Sequence, residues 1–261
     1  MFRKNKLAML VGEFLGTGLL TLVVLAALRS QAGTYFVAVA AGLLLVVLVL
    51  ALGGISGAVF NPAITIALWS AKKLRTAQAL MYIVVQFAGA YAAWYLFVYL
   101  TKIDTSSISH SNLTELTARP LLGEAIGAFI FAFAIAAALY QKFQGGLKAF
   151  TIGSGLTLGA WVASLASAAF INPAVALAIQ QWNIYTYMLA PVLGAVLGFN
   201  VYNLLFVETE VAEVAEAKAE AKELKAAEKA VVAPAPVKKA PAKKAVAKKP
   251  ATKKKTAPKK K

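Results

Sequence analysis

The chain of 261 residues is 60% apolar, contains no cysteine and one histidine, and carries a formal net charge of +16. Its mean hydropathy of +0.69 is too high for an ordinary soluble domain and points to a protein of several membrane spans. Disulfides and thiolate metal centres are excluded, and His110 alone cannot form a histidine cluster for a metal ion or a catalytic triad.

A helix needs about 20 apolar residues to cross roughly 30 Å of hydrocarbon. Six stretches qualify: 7–28, 34–52, 78–100, 120–140, 148–166 and 184–206. The first follows Arg3, Lys4 and Lys6, as the core of a signal peptide would. Its apolar run is too long for that, and further spans follow, so a retained helix is expected. Two shorter apolar stretches, 53–71 and 167–182, are interrupted by Gly/Pro or Asn-Pro. Paired interruptions at matching places in two halves predict re-entrant half-helices around a midplane site. Irregular backbone at that depth survives only against protein or a water-filled cavity.

The two halves repeat a motif. Asn61-Pro62-Ala63 recurs as Asn172-Pro173-Ala174, and each Asn lies 48 residues after a glutamate in an apolar run, Glu13 and Glu124. Asn at the N-cap and Pro at the first helical position suit a helix start at both places. Small residues recur at helix-contact spacing as Gly12/Gly16, Gly123/Gly127, Gly155/Gly159 and Gly194/Gly198. Such pairs let helices approach closely in lipid, although glycine is also simply frequent in membrane helices.

With the N-terminus inside, the cytoplasmic side collects Arg3, Lys4, Lys6, Lys72, Lys73, Arg75, Lys142 and Lys148. The outer side collects Arg29, Lys102 and Arg119. That asymmetry fits the positive-inside rule, and an even number of spans returns the C-terminus to the cytoplasm. The two halves are then inverted, and their half-helices enter from opposite faces.

A half-helix starting at Asn-Pro turns unpaired N–H groups and the positive end of its dipole toward the midplane. Two such ends repel cations, as helix-dipole barriers do in water pores. Each Asn amide offers N–H donors to a passing oxygen, and two donors at one point orient a water and break a proton-conducting chain. The competing reading is two helix caps with no pore between them.

These residues resemble the aquaporin and glycerol-facilitator (major intrinsic protein) family over about residues 1–206. The first span reads Glu13-Phe14-Leu15-Gly16-Thr17, and the first re-entrant loop Ser56-Gly57-Ala58-Val59-Phe60-Asn61-Pro62-Ala63-Ile64-Thr65. The third span carries Gln86, Gly89 and Ala90, and the fourth Glu124, Gly127, Ala128 and Phe129. The resemblance implies six tilted helices and two half-helices in inverted repeats, about 1–100 and 118–206. It also implies a homotetramer whose protomers each hold a pore. Intramembrane carboxylates are costly and are functional candidates by default, and a proton relay is one role for Glu13 and Glu124. The resemblance implies a structural one: each accepts backbone N–H bonds from a re-entrant loop and pins it.

The outer filter departs from the family pattern. Val175 stands where an Arg usually follows the second motif, and Ala160 where a His is common in the fifth span. Ala41 stands in place of an aromatic, and Ala169 takes the fourth position. Val59 replaces a loop histidine, and Ala176 lacks the acid typical of the glycerol subgroup. A filter of Ala41, Ala160, Ala169 and Val175 is small, apolar and uncharged. It is expected to be wide unless aromatics such as Trp161 or Phe170 refill it.

The charge is uneven. Residues 1–206 hold 11 Lys/Arg and 4 Asp/Glu, whereas 207–261 hold 16 Lys and 7 Glu. Residues 207–230 read as a Glu/Ala/Lys-rich helical linker, and 231–261, with 12 Lys, five Pro and no acid, as a disordered tail. That tail is a solvated extension, a contact for anionic lipid, or a contact for nucleic acid. Asn112-Leu113-Thr114 matches a glycosylation triplet, and His110 reads as a solvated loop residue. The expected protein is an all-α, multi-pass channel of the plasma (inner) membrane with both termini cytoplasmic. It is not an enzyme and has no cofactor or metal. It conducts water and other small neutral solutes. The alternatives are a neutral-solute facilitator with little selectivity for water, and a membrane-anchored scaffold with a functional basic tail.

Overall fold

The computed structural model describes residues 2–107, 114–207, 220–222 and 224. The expectations for His110, the Asn112 triplet and the tail fall outside the described residues, except that 220–222 and 224 are helical. The chain divides into two units, Met1–Glu213 and Val214–Lys261, and the helical bundle lies in the first.

Among the described residues the bundle is entirely helical. In chain order the helices are α1 (Phe2–Arg29), α2 (Thr34–Leu52), α3 (Pro62–Ser70) and α4 (Thr76–Thr101), then α5 (Ala118–Tyr140), α6 (Gly145–Ala163), α7 (Pro173–Ala178) and α8 (Ala190–Tyr202). π-Helical turns, Ile184–Leu189 and Asn203–Val207, extend α8 at both ends. Five stretches are long and apolar enough to cross a bilayer: α1, α2, α4, α5 and the continuous run Ile184–Val207. The sixth long helix, α6, matches α2 at 19 residues, but Lys148, Thr151, Ser154, Thr157 and its five glycines make it less apolar. It ends three residues earlier than the apolar run suggests. Ser164 donates its hydroxyl back to the carbonyl of Trp161, and such back-bonding competes with helix continuation.

The packing repeats with two-fold logic. α1 packs on α4 and α2, and α5 packs on α8 and α6. α2 and α6 meet across the two halves. The short helices are exchanged: α3 lies against α8, and α7 against α4. Neither half can therefore complete its core without the other. Large apolar side chains face outward, including Leu7, Val11, Leu15 and Leu19 at four-residue spacing on α1. Polar Glu13, Gln86 and Glu124 are fully buried. This inverted distribution suits a lipid solvent, where an unpaired polar group on the outer wall is costly.

Without a hydrophobic drive between helices in lipid, close approach is what holds the bundle together. Built at Gly89, a Cβ would collide with the Phe14 carbonyl of α1; at Gly194 and Gly198 it would collide with the Ala125 and Phe129 carbonyls of α5. Gly127 and Gly159 face each other's carbonyls, as do Gly42 and Gly153. Gly16 makes room for the Phe60 ring. Gly12 does not belong to this set, because a Cβ there would meet Ser56 at an ordinary 3.5 Å. Gly194→Leu should therefore destabilise the bundle by about 1–3 kcal/mol or more, the usual range for overpacking. The thermal unfolding of detergent-purified protein checks this. Gly146→Ala, where nothing lies within 4 Å, should match or exceed the parent.

Candidate functional site

Each half-helix begins where the sequence places its Asn-Pro. Asn61 is the N-cap of α3, and its Oδ1 accepts the Ala63 N–H at 2.9 Å. Asn172 is the N-cap of α7, and its Oδ1 accepts from Ala174 N–H at 3.1 Å and, at 3.5 Å, from Val175 N–H. Pro62 and Pro173 occupy the first helical position, where a missing N–H costs nothing. Ala63 and Ala174 are fully buried, so the helix starts lie against neighbouring backbone.

The two caps are tied to each other. Asn61 Nδ2 donates to the Ile171 carbonyl and Asn172 Nδ2 donates to the Phe60 carbonyl, both at 2.9 Å. Each accepting carbonyl belongs to the residue preceding the other asparagine. An amide NH₂ has two hydrogens, so one N–H on each Asn stays available to a third group at the junction.

The chain entering each cap is twisted into left-handed backbone. Ala58 and Phe60 have φ of 55° and 50°, and Ala169 and Ile171 have φ of 59° and 42°. For a β-branched residue such as Ile171 this is a costly conformation that persists only when its surroundings over-determine it. The buried carboxylates supply that constraint. Glu13 Oε1 accepts the Val59 N–H at 3.1 Å, and Oε2 accepts the Phe60 N–H at 2.7 Å. Glu124 repeats the arrangement, taking the Phe170 N–H at 3.0 Å and the Ile171 N–H at 2.6 Å.

The second contacts of the carboxylates differ between the halves. Gln86 Nε2 donates to Glu13 at 2.8 Å and to Thr65 Oγ1 at 3.0 Å, and Thr65 Oγ1 donates on to the Asn61 carbonyl at 2.9 Å. Ser167 Oγ donates to Glu124 at 2.8 Å and accepts the Ala169 N–H. The sequence marks Gln86 as a motif residue, but its junction with Glu13 and Thr65 spans three helices and has no local signature.

One cavity runs from the α1–α2 end of the bundle down to Asn172. The four residues proposed for the filter, Ala41, Ala160, Ala169 and Val175, all stand in its wall. Leu20, Val24 and Leu156 complete much of the rest, and no charged side chain lines it. Its volume is about 30 Å³, room for about two water molecules. Of the two aromatics considered as replacements, Phe170 lines this cavity. Trp161 does not: it is half exposed and packs on Tyr35, with centroids 4.6 Å apart. Among the described residues, no group of three His, Cys, Asp or Glu comes together to hold a metal ion.

Each carboxylate faces a serine hydroxyl as well as N–H donors, Ser56 at Glu13 and Ser167 at Glu124. Glu13→Gln places an NH₂ against N–H groups and should cost about 1–3 kcal/mol for each buried donor left unpaired. Glu124→Gln, which meets the same pair of loop N–H groups, should cost about as much. The yield of monodisperse protein and its unfolding temperature in detergent would show both losses.

Comparison with known proteins places this arrangement. Residues 2–202 match the family described as Major intrinsic protein. Aquaporin Z of Photorhabdus laumondii is 30% identical over 77% of this chain and 98% of its own length. Nodulin-26 of Glycine max is 34% identical over 65% of each chain. The chain spans 60% of the length of the putative aquaporin NIP4-1 of Arabidopsis thaliana, which is 32% identical over 63% of this chain. The X-ray structure of the aquaglyceroporin from Plasmodium falciparum superposes with a TM-score of 0.65, covering 78% of this chain and 98% of that one. At 19% identity that likeness concerns the fold. The chain belongs to the major intrinsic protein family.

Proposed function

We propose that this protein is a passive transmembrane channel for water and other small neutral solutes, with an apolar, uncharged outer filter. The observation that carries the reading is the meeting of the two asparagine caps. Asn61 and Asn172 each commit one amide hydrogen to the opposite loop, which leaves one each for a permeating oxygen. A water bound by two donors turns its own hydrogens away from the junction on both sides, so a continuous proton-conducting chain is interrupted there. The N-terminal N–H groups of α3 and α7 face the same junction and disfavour cations. Membership of the family, and relatives named as aquaporins, support the same reading.

Ala41, Ala160, Ala169 and Val175 form the outer filter in this reading. None of them carries a side-chain hydrogen-bond donor or a charge, so none replaces the hydration that a strongly polar solute gives up. Cation exclusion falls to the central junction rather than to an arginine. Glu13 and Glu124 act by holding the two loops, not by relaying protons. The protein assembles as a homotetramer with one pore per protomer, in the plasma (inner) membrane, with both termini cytoplasmic. The lysine-rich loops on one side support that orientation.

Stopped-flow light scattering of proteoliposomes tests the reading with water, urea and glycerol. Flux no faster than in protein-free vesicles would sink it. Val175→Arg should reduce glycerol and urea flux by about tenfold, because a charged fork in a narrow apolar passage discriminates by size and by desolvation, while water flux persists. Asn172→Asp removes the donor to the Phe60 carbonyl and places an anion at the junction. Vesicles with that variant should become measurably leaky to cations, read with a potential-sensitive dye.

A further inference from the structure

Four small filter residues would leave a broad opening if nothing else entered it, yet the cavity they line measures only about 30 Å³. Among the described residues of that wall, Phe170 is the one aromatic. Its placement follows from the backbone. Phe170 stands between two left-handed residues, Ala169 and Ile171, with φ of 59° and 42°. Its N–H is held by Glu124 at 3.0 Å. These constraints leave little freedom in the direction of its Cα–Cβ bond.

The ring packs on Tyr187, with centroids 5.5 Å apart and planes at 64°. Such an edge-to-face contact has a preferred geometry. Tyr187 lies in the π-helical turn Ile184–Leu189, which Asn183 caps by accepting the Thr186 N–H at 2.8 Å. Asn183 Nδ2 also donates to the Glu115 carbonyl at 2.7 Å, which ties that turn to the segment before α5. π-Turns inside helices are uncommon and tend to mark functional positions.

The first half arranges the same backbone differently. Val59 occupies the position that corresponds to Phe170, between left-handed Ala58 and Phe60. There the aromatic is the next residue, Phe60, whose ring is fully buried against Gly16. The second half places the smaller Ile171 at that core position, against Gly127, and puts its aromatic one residue earlier, in the cavity wall. Phe60 is wholly buried in the core, whereas Phe170 is only partly buried against it and also lines the cavity.

We propose that Phe170, positioned by Tyr187, sets the solute size limit of the outer cavity in place of the four small filter residues. The inference rests on the channel reading above and names the group that gives that channel its selectivity. Solutes that are flat or slender and weakly hydrated pass the ring edge, and branched polyols are slowed.

Proteoliposome shrinkage with water, urea, glycerol and a four-carbon polyol tests this. Phe170→Ala should raise the glycerol-to-water permeability ratio by about tenfold, the lower end of what one apolar group contributes to discrimination in a pocket. Phe170→Leu should give a smaller rise. Tyr187→Ala, which leaves the ring in place without its backing, should also raise the ratio. Trp161→Ala, outside the cavity, should leave the solute order as in the parent. An unchanged order in Phe170→Ala or Phe170→Leu, with parental water flux and a monodisperse profile, overturns the proposal while the channel reading stands. A parent that conducts nothing above protein-free vesicles overturns both.

Discussion

Two irregular loops meet in the middle of this bundle, and each satisfies the other. Backbone that leaves a helix inside a bilayer exposes N–H and C=O groups that lipid cannot bond. Here the N–H groups of Val59, Phe60, Phe170 and Ile171 end on two buried carboxylates. The carbonyls of Phe60 and Ile171 end on the opposing asparagine amides. The left-handed conformations, the exchange of short helices between halves, and the position of the junction all depend on this closed set of bonds. Removing one partner leaves a donor or acceptor buried alone, a larger penalty than the net value of the bond itself.

The duplication is exact in backbone and loose in chemistry. Offsets between glutamates, loops and asparagines are conserved between the halves, and the left-handed positions coincide. Around them the side chains diverge. Both carboxylates take a loop serine, Ser56 at Glu13 and Ser167 at Glu124, but Glu13 also takes Gln86 from α4. α3 has nine residues and α7 has six. Such divergence is tolerated because the constraint acts on hydrogen-bond valence, which either partner satisfies. It also leaves the cavity-lining side chains free to differ without disturbing the junction.

The outer cavity and the junction divide the work in the channel reading. The cavity wall is apolar and uncharged, so it sorts by size and by the cost of desolvation. The junction holds the donors, and it orients what arrives. Moving cation exclusion wholly to the junction explains how a chain with Val175 in the filter can still serve a passive neutral pathway. In the same reading, Phe170 in the wall restores the narrowness that the alanines give up.

Much of this was legible in the residues alone. Hydropathy marked the long helices to within a few residues, because the length needed to cross hydrocarbon is a one-dimensional property. The repeated Asn-Pro marked both half-helix starts, since capping chemistry is local. The four positions that the family resemblance proposes as a filter line one cavity. Tertiary structure decided what depends on distance between remote segments. That Phe170 and not Trp161 enters the wall, that Gln86 joins Glu13 to Thr65, and that one hydrogen of each asparagine is spent on the other loop are facts of three-dimensional placement. So is the irrelevance of Gly12 to close packing, although its spacing from Gly16 looked the same as that of the pairs that matter. Periodicity specifies which face a residue occupies, but only the crossing of another helix determines what that face meets.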